Sequence, residues 1–151
     1  MIMDPIRCFV VDDELEACLR MQEMIRKFPE LDFTGYEVDP ESVINSISEK
    51  NPDILFLDVE MPGKNGLDLV REIRDSNLKT TVVFVLAFEQ YAISAIRVHA
   101  FDYLLKPIDI TEFKDCIERY KNRRDCYQSF DNTDLTEREK QVARYSAGED
   151  Q

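Results

Sequence analysis

Hydrophobic residues along this chain follow two patterns, short uninterrupted runs and stripes at helical spacing. Five runs predict β-strands, because apolar stretches of this length fit strands that are buried in a parallel sheet. These runs cover residues 6–11, 31–36, 53–58, 81–87 and 101–105. Apolar residues spaced three or four positions apart predict an amphipathic helix after each strand. The alternation of five strands with five helices predicts an α/β fold, a doubly wound parallel sheet with right-handed crossovers.

The predicted helices start and stop at recognisable signals. Asp13 and Glu16 form a candidate capping box for the first helix, and Asp109 and Glu112 form one for the last. Ile110 is expected on the buried face of the last helix, with apolar residues at helical spacing after it. The helices are expected at about residues 14–28, 40–50, 67–74, 89–99 and from 110 onward.

Charged residues stand where three of the predicted strands end. Asp12 and Asp13 follow the first strand, Asp58 ends the third, and Lys106 follows the fifth. In the flavodoxin-like strand order 2-1-3-4-5, the first and third strands are neighbours, and ligands bind in the crevice at their carboxyl ends. The three carboxylates would converge in that crevice. Taken alone, Asp58 is better explained as a cap for the following segment. The alternative for Lys106 is a surface lysine at a strand end.

Crowded carboxylates need protons or a cation at neutral pH, because they repel one another. Oxygen ligands from one or two carboxylates, water and a phosphate suit Mg²⁺. A carboxylate can also attack phosphorus to form an acyl phosphate. The ammonium group of Lys106 would then offset charge on the transferred group. Pro107 follows this lysine and favours a tight turn that aims the Lys106 side chain. A cis peptide bond before the proline is one candidate geometry for that turn.

Composition narrows the class of protein. The chain has 151 residues, room for one ordinary domain, and a formal net charge of −12, which argues against direct binding to nucleic acid. Cys8, Cys18, Cys116 and Cys126 lack metal-ligand spacing, so reduced thiols are expected. No stretch is long and apolar enough for a membrane span, and the first residues lack the features of a signal peptide. A cytoplasmic protein with no membrane partner is therefore expected.

Three motifs resemble the receiver domain of two-component response regulators. They are Val-Asp-Asp-Glu at residues 11–14, Leu-Asp-Val-Glu-Met-Pro-Gly at 57–63 with Gly66, and Asp-Tyr-Leu-Leu-Lys-Pro at 102–107. The resemblance covers residues 5–124, and the part around 88–107 looks most like receivers that precede LytTR-type DNA-binding domains. It implies a flavodoxin-like (βα)5 fold. It also implies a phosphorylatable switch rather than a turnover enzyme, with slow self-dephosphorylation at most.

The resemblance implies roles for individual residues. Asp58 would be the phospho-acceptor, and Lys106 would contact the phosphoryl group. Asp13, Asp58 and the backbone carbonyl of Glu60 would coordinate Mg²⁺. Asp12 would assist through water. The implied partner is a sensor histidine kinase, and the implied outcome is transcription regulation through an output domain.

One position departs from the family pattern. The family has Thr or Ser at the end of the fourth strand, where this chain has Leu86, followed by the small residue Ala87. In the family this hydroxyl bonds the phosphoryl group and makes room for an aromatic switch residue, here Tyr103. Leucine cannot form such a bond, which is worth about 1.5–3 kcal/mol to a charged group. Phosphorylation chemistry is therefore expected to survive better than switching.

Two alternatives remain open at this point. The first is a phosphorylation-independent pseudo-receiver in which Leu86 freezes one conformation. In that case, as in a switching receiver, the expected homodimer interface is formed by the 89–99 helix, the fifth strand and the last helix. The second is an Mg²⁺-dependent phosphatase, which would need a general base that the sequence does not reveal.

The last part of the chain predicts a linker at residues 125–134 and a helix within 135–151. Thr136 and Glu139 form a candidate capping box, and Gly148 a helix stop. This segment resembles the first helix of a LuxR-type helix-turn-helix output domain, although a generic capped surface helix explains it nearly as well. Such a domain binds DNA through a second, recognition helix. The resemblance therefore implies a truncated output domain and no DNA binding of this kind by the chain itself.

Overall fold

The computed structural model describes residues 4–61, 63, 65–87 and 100–129, with side chains as far as residue 124. Within these ranges the strands are β1 (Ile6–Val11), β2 (Leu31–Glu37), β3 (Ile54–Asp58), β4 (Thr81–Leu86) and β5 (Asp102–Leu105). The helices in the same ranges are α1 (Leu15–Arg26), α2 (Val43–Lys50), α3 (Gly66–Asp75) and α4 (Ile110–Ser129), and a 3-10 turn at Pro40–Ser42 precedes α2. The helix predicted at 89–99 lies outside the described residues. The chain divides into two compact units between Ile110 and Thr111.

The five strands form one parallel sheet in the order β2-β1-β3-β4-β5. This order confirms the predicted doubly wound, flavodoxin-like arrangement. The chain runs from β1 to the edge strand β2 and then returns to β3 on the other side of β1, so a switch point lies between β1 and β3. Val11 pairs with Leu57 there. The residues that follow this pair, Asp12 and Asp58, are therefore delivered to the same edge of the sheet.

Apolar side chains from strands and helices form the core of the first unit. All five residues of β3 are buried, as expected for a central strand covered on both faces. On one face, alternate strand residues pack with the buried residues of α2 and α3. The main members of this cluster, called here the α2/α3 cluster, are Phe9, Leu55, Leu57, Phe84, Leu86, Val43, Ile47, Leu69 and Ile73. On α1 the buried residues are Ala17, Cys18, Met21 and Ile25.

The start of α1 differs from the predicted capping box. Glu14 occupies the cap position and provides no side-chain cap hydrogen bond, so Asp13 is not the cap. Asp12 Oδ1 instead accepts a hydrogen bond from Glu14 N at 3.0 Å. This bond holds the turn between β1 and α1, and it leaves the Asp13 carboxylate available to the edge of the sheet.

The helix α4 corrects two further expectations. Ile110, placed on the buried face from its spacing, is 46% exposed, because it is the first residue of the helix. The buried residues of this helix are Phe113, Cys116, Ile117 and Tyr120. The helix also continues to Ser129, into the segment expected to be a linker. Residues 125–129 contain neither Pro nor Gly, so nothing in them stops a helix.

Two glycines shape the segment that follows Asp58. Gly63 has φ of +79°, a conformation that L side chains rarely adopt. Gly66, the first residue of α3, donates its N–H to Val59 O at 2.9 Å. A Cβ atom on Gly66 would lie 2.7 Å from Asp58 O and 2.9 Å from Val59 Cα. The helix can therefore start directly against the end of β3 only because residue 66 has no side chain.

We expect Gly66→Ala to lower the free energy of unfolding by about 1–3 kcal/mol, the usual cost of overpacking, because the added methyl group meets backbone atoms that cannot yield as a flexible side chain would. Chemical denaturation measures the loss. Asp68→Ala is the matched control, since Asp68 lies exposed in the first turn of the same helix. Equal stability of the Gly66→Ala protein and the wild type would show that the end of β3 tolerates a displaced helix.

Candidate functional site

Three carboxylates meet at the carboxyl edge of the sheet. Asp12 and Asp13 follow β1, and Asp58 ends β3. One ligand oxygen from each lies within 4.8 Å of the others. Asp12 and Asp58 are buried, with 4% and 6% of their surface exposed, whereas Asp13 is half-buried. The structure thus brings together the three aspartates that the sequence placed at the strand ends.

Lys106 brings a positive charge to this acidic cluster from β5. Its Nζ donates a hydrogen bond to Asp12 Oδ2 at 3.0 Å and lies 3.9 Å from Asp58 Oδ1. The backbone N–H of Lys106 is bonded to Leu86 O at 2.8 Å, which ties the end of β5 to the end of β4. The Lys106–Pro107 peptide bond is cis, which confirms the candidate turn geometry. The lysine therefore pairs first with Asp12 and only secondarily with Asp58.

Backbone groups fix the two buried aspartates. Asp12 N donates to Glu37 O at 3.2 Å, and Cys18 Sγ donates to Asp12 O at 3.4 Å. Glu60 N donates to Asp58 Oδ1 at 3.3 Å, so Glu60 contacts the cluster through its backbone while its own side chain is exposed. These bonds set the positions of Asp12 and Asp58 independently of any bound ion.

The electrostatics of the cluster favour a proton or a cation at Asp58. Burial, and next the negative charge of Asp12, raise the pKa of Asp58 from 3.8 to about 7, although Lys106 and the Glu60 N–H oppose the change. Burial by itself lowers the pKa of Lys106, but the hydrogen bond to Asp12 and the charges of Asp58 and Asp12 outweigh it, and the pKa is raised. At neutral pH the lysine is charged and Asp58 is only partly ionised.

The donor set of the cluster fits a hard divalent cation. Carboxylate oxygens with room for water are the ligands that Mg²⁺ uses in proteins, often together with a phosphate group. The described cysteines, Cys8, Cys18 and Cys116, are buried free thiols and do not form a competing soft site. Burial is the first cause that raises the pKa of Cys18 to about 12, so this thiol is protonated beside the cluster.

The residues expected to form the switch lie at the end of β4 and within β5. Leu86 is fully buried within the α2/α3 cluster, and Tyr103 is half-buried and packs against that cluster. Ala87 follows β4 and is exposed. From Val82 to Ala87, therefore, the end of β4 offers apolar side chains and no hydroxyl group.

Sequence reasoning assigned no role to the buried residues Val59 and Met61, which lie just after β3 and belong to the α2/α3 cluster. The sequence feature that could have identified them is an apolar residue on each side of Glu60, in a segment that otherwise has the composition of a turn. By packing inward they keep the segment after Asp58 against the fold.

Comparison with known proteins identifies the family. The response regulator receiver domain model matches residues 8–118. The chain is 34% identical over 119 residues to the transcriptional regulatory protein BtsR of Escherichia coli strain K12, covering 79% of this chain and 49% of BtsR. It is 32% identical over 130 residues to the sensory transduction protein LytT of Bacillus subtilis strain 168, covering 85% and 54%. A crystal structure of a LuxR-family DNA-binding response regulator from Staphylococcus aureus is similar at 26% identity, with a TM-score of 0.67, covering 75% of this chain and 96% of that one.

The chain belongs to the response regulator receiver domain family of two-component signalling proteins. It spans about half the length of the curated relatives that it matches. None of the helices in the described part of the chain is long and apolar enough to cross a membrane. The LuxR-type helix expected within 135–151 lies outside the described residues and stays a prediction.

The raised pKa of Asp58 predicts a pH-dependent loss of stability in metal-free buffer. The pKa of Asp58 is higher in the folded than in the unfolded protein. The contribution of this carboxyl to the free energy of unfolding is therefore complete below about pH 4 and is lost as the pH rises through about 7. Asp58→Asn, which stays neutral, should gain stability relative to the wild type between pH 5 and pH 8. Each unit of pKa difference corresponds to about 1.4 kcal/mol.

Urea unfolding with EDTA at several pH values measures this difference. Asp75→Asn is the control, because Asp75 is an exposed aspartate at the end of α3. The gain for Asp58→Asn should grow with pH and exceed any change in the control. A difference between Asp58→Asn and the wild type that stays constant with pH would contradict the pKa assigned to Asp58.

Proposed function

We propose that Asp58 accepts a phosphoryl group, with Mg²⁺ held at the acidic cluster, and that this reaction makes the domain a switch in two-component signalling. The supporting observation is the position of Asp58, buried at the end of the central strand β3, among two further aspartates and a lysine. Membership of the receiver family supports the same proposal.

The transfer would proceed by attack of an Asp58 oxygen on the phosphorus atom of the donor. A new O–P bond forms an acyl phosphate, and the bond from phosphorus to the leaving nitrogen or oxygen breaks. The leaving group keeps that electron pair and takes up a proton from solvent. Lys106, with Nζ 3.9 Å from Asp58 Oδ1, is close enough for its ammonium group to stabilise charge on the transferred oxygens.

The cluster would hold Mg²⁺ through Asp13 and Asp58, with Asp12 assisting through water and the Glu60 carbonyl as a further ligand. The oxygen donors of the three aspartates support this part of the proposal. When bound, the ion supplies positive charge that favours ionised Asp58 and offsets the charge of the phosphoryl group.

We expect phosphorylation of Asp58 to be visible as one added phosphate in the intact mass after treatment with acetyl phosphate and Mg²⁺. Asp58→Asn should show no addition, because an amide oxygen is not a competent nucleophile here. Asp75→Asn, on the exposed end of α3, should gain phosphate as the wild type does. An equal gain in the Asp58→Asn protein would remove Asp58 from its assigned role.

The proposed Mg²⁺ site predicts opposite effects on ion binding for substitutions at two residues near Asp58. Asp13→Asn should abolish the stabilisation by Mg²⁺, which is about 1.4 kcal/mol at an ion concentration about ten times the dissociation constant. Lys106→Met should bind Mg²⁺ at least as tightly as the wild type, because it removes an ammonium that neutralises the cluster. The same variant should accept phosphate more slowly. Thermal unfolding with and without Mg²⁺ tests the first two results, and weaker binding by Lys106→Met would contradict the charge balance proposed for the cluster.

The donor would be a sensor histidine kinase, whose phosphohistidine must approach Asp58 from the carboxyl edge of the sheet. Leu15 and Leu19 support a protein partner at this edge, since they lie one turn apart at the start of α1 and are 50% and 42% exposed. The relatives BtsR and LytT are named as a transcriptional regulator and a sensory transduction protein. We therefore infer cytoplasmic signalling to a transcriptional output domain. Homodimerisation through the predicted 89–99 helix, β5 and α4 is part of the same proposal.

Leu86 would weaken the coupling between phosphorylation and conformational change. Phosphorylation can shift the equilibrium between two conformations only if the phosphoryl group interacts more favourably with one conformation than with the other. Here the phosphoryl group keeps Lys106 but finds no hydroxyl at the end of β4, where the leucine side chain is buried in the cluster that Tyr103 contacts. Membership of the family favours a weakened switch over a pseudo-receiver.

Restoring the hydroxyl should strengthen the response. We expect Leu86→Thr to show a larger change in amide hydrogen exchange across residues 89–120 on phosphorylation than the wild type does. Acceptance of phosphate should change little, because Asp58 and Lys106 are untouched. Leu86→Val is the control, since it also shortens the side chain but adds no hydroxyl. A full-size response in the leucine protein, equal to that of Leu86→Thr, would show that the hydroxyl is dispensable.

A further inference from the structure

A backbone hydrogen bond joins Asp12 of the acidic cluster to the end of β2. Asp12 N donates to Glu37 O at 3.2 Å, one step beyond the final residue pair of the two strands, Val11 and Glu37. β2 is the edge strand of the sheet and has β1 on one side. The end of a strand opens easily where few contacts hold it. The bond to Asp12 therefore depends on what else fixes the end of β2.

The Glu37 side chain anchors the end of β2 to α2. Its Oε1 accepts a hydrogen bond from Ser46 Oγ at 2.9 Å, and its Oε2 accepts one from Asp39 N at 3.0 Å. Ser46 belongs to α2, which is held in the core by the fully buried Val43 and Ile47. Hydrogen bonds to an ionised group are stronger than those between neutral groups. The half-buried carboxylate thus links the end of the edge strand to the packed core.

A β-bulge directs the Glu37 side chain toward α2. The register between β1 and β2 shifts by one residue after Cys8, which leaves Thr34 as an extra residue in β2. Thr34 Oγ1 donates to Cys8 O at 3.0 Å and holds the bulge. Because side chains alternate along a strand, one extra residue reverses the face of every later side chain. Without the bulge, Glu37 would point to the opposite face of the sheet, away from Ser46.

We propose that Glu37 is a positioning residue for the acidic cluster. Its side chain, held by Ser46 and Asp39, fixes the carbonyl group that accepts from Asp12 N, and it thereby fixes the Asp12 carboxylate. That carboxylate accepts the hydrogen bond from Lys106 Nζ and, in the function proposed above, assists Mg²⁺ through water. The effect on Mg²⁺ rests on the proposed function, whereas the link from Glu37 to Asp12 does not.

Amide hydrogen exchange at Asp12 tests this link in the full chain, in EDTA buffer. Glu37→Ala removes both side-chain acceptors, so exchange of the Asp12 N–H should become at least about tenfold faster, the factor that one hydrogen bond to a charged group represents. Glu37→Gln should keep a rate close to that of the wild type. Its amide can accept from Asp39 N and donate to Ser46 Oγ, which preserves both connections.

Three controls separate a local change from a general loss of stability. The Thr81 N–H, hydrogen-bonded at the other end of the sheet, should exchange at the same rate in every variant. Ser46→Ala removes one of the two bonds to the Glu37 carboxylate and should accelerate exchange at Asp12 less than Glu37→Ala does. It also decides the question if Glu37→Ala does not fold. Glu49→Ala, at an exposed position of α2, should leave exchange at Asp12 unchanged.

The affinity for Mg²⁺, measured by thermal unfolding at increasing Mg²⁺ concentration, tests the effect on the site. Residues that orient metal ligands typically change metal affinity by about 10–100-fold when they are replaced, so Glu37→Ala should weaken binding about tenfold. Glu37→Gln should bind as the wild type does. If Glu37 acted on the ion through its charge, both substitutions would weaken binding equally, because both remove that charge. A role in stability alone would lower the unfolding temperature in EDTA and leave the affinity unchanged.

Unchanged exchange at Asp12 in a folded Glu37→Ala or Ser46→Ala protein would overturn the proposal, as would an equal acceleration at Thr81. Equal effects of Glu37→Ala and Glu37→Gln would replace positioning by charge. Unchanged Mg²⁺ affinity in Glu37→Ala, with a wild type that binds the ion, would also overturn the positioning role. A wild type that does not bind Mg²⁺ would instead overturn the proposed function, and the exchange rates would then decide the role of Glu37.

Discussion

Repulsion among three carboxylates within 4.8 Å of one another is the interaction on which the site depends. Burial of Asp12 and Asp58 strengthens that repulsion, because water no longer screens it. Lys106 offsets part of the charge, but burial of Asp58, and next the negative charge of Asp12, still raise the pKa of Asp58 to about 7. The metal-free fold therefore holds this edge in a destabilised state that a divalent cation can relieve. In the function that we propose, affinity for a cation and the reactivity of Asp58 as a nucleophile would have the same physical cause.

The sheet keeps the carboxylates together despite this cost. Val11 and Leu57 pair across β1 and β3, so the aspartates that follow them have nearly fixed separation. The hydrogen bond from Lys106 N to Leu86 O ties the backbone of the lysine to the end of β4, the strand next to β3. Gly66 allows α3 to begin against the end of β3. The apolar core compensates for the repulsion at its edge, as functional sites commonly require.

Apolar runs and charged strand ends were sufficient to predict the sheet and the convergence of Asp12, Asp13 and Asp58. The helix ends were less predictable. Asp13 has the composition of a cap, but the Asp12 carboxylate takes the Glu14 N–H and the helix starts later. The preference of Lys106 for Asp12 over Asp58 rests on a difference between 3.0 and 3.9 Å. Distances of this kind arise from the packing of side chains and have no sequence pattern.

Titration of the Asp58 side-chain carboxyl by ¹³C NMR, with and without Mg²⁺, tests the central claim most directly. Asp58→Asn identifies the resonance by its disappearance. Without metal, the midpoint should lie at about pH 7, because burial and Asp12 disfavour the charged form. With Mg²⁺ the midpoint should fall, because the cation favours the ionised carboxylate. An ordinary midpoint near pH 3.8 in metal-free buffer, unchanged by Mg²⁺, would contradict an acidic cluster held ready for a cation.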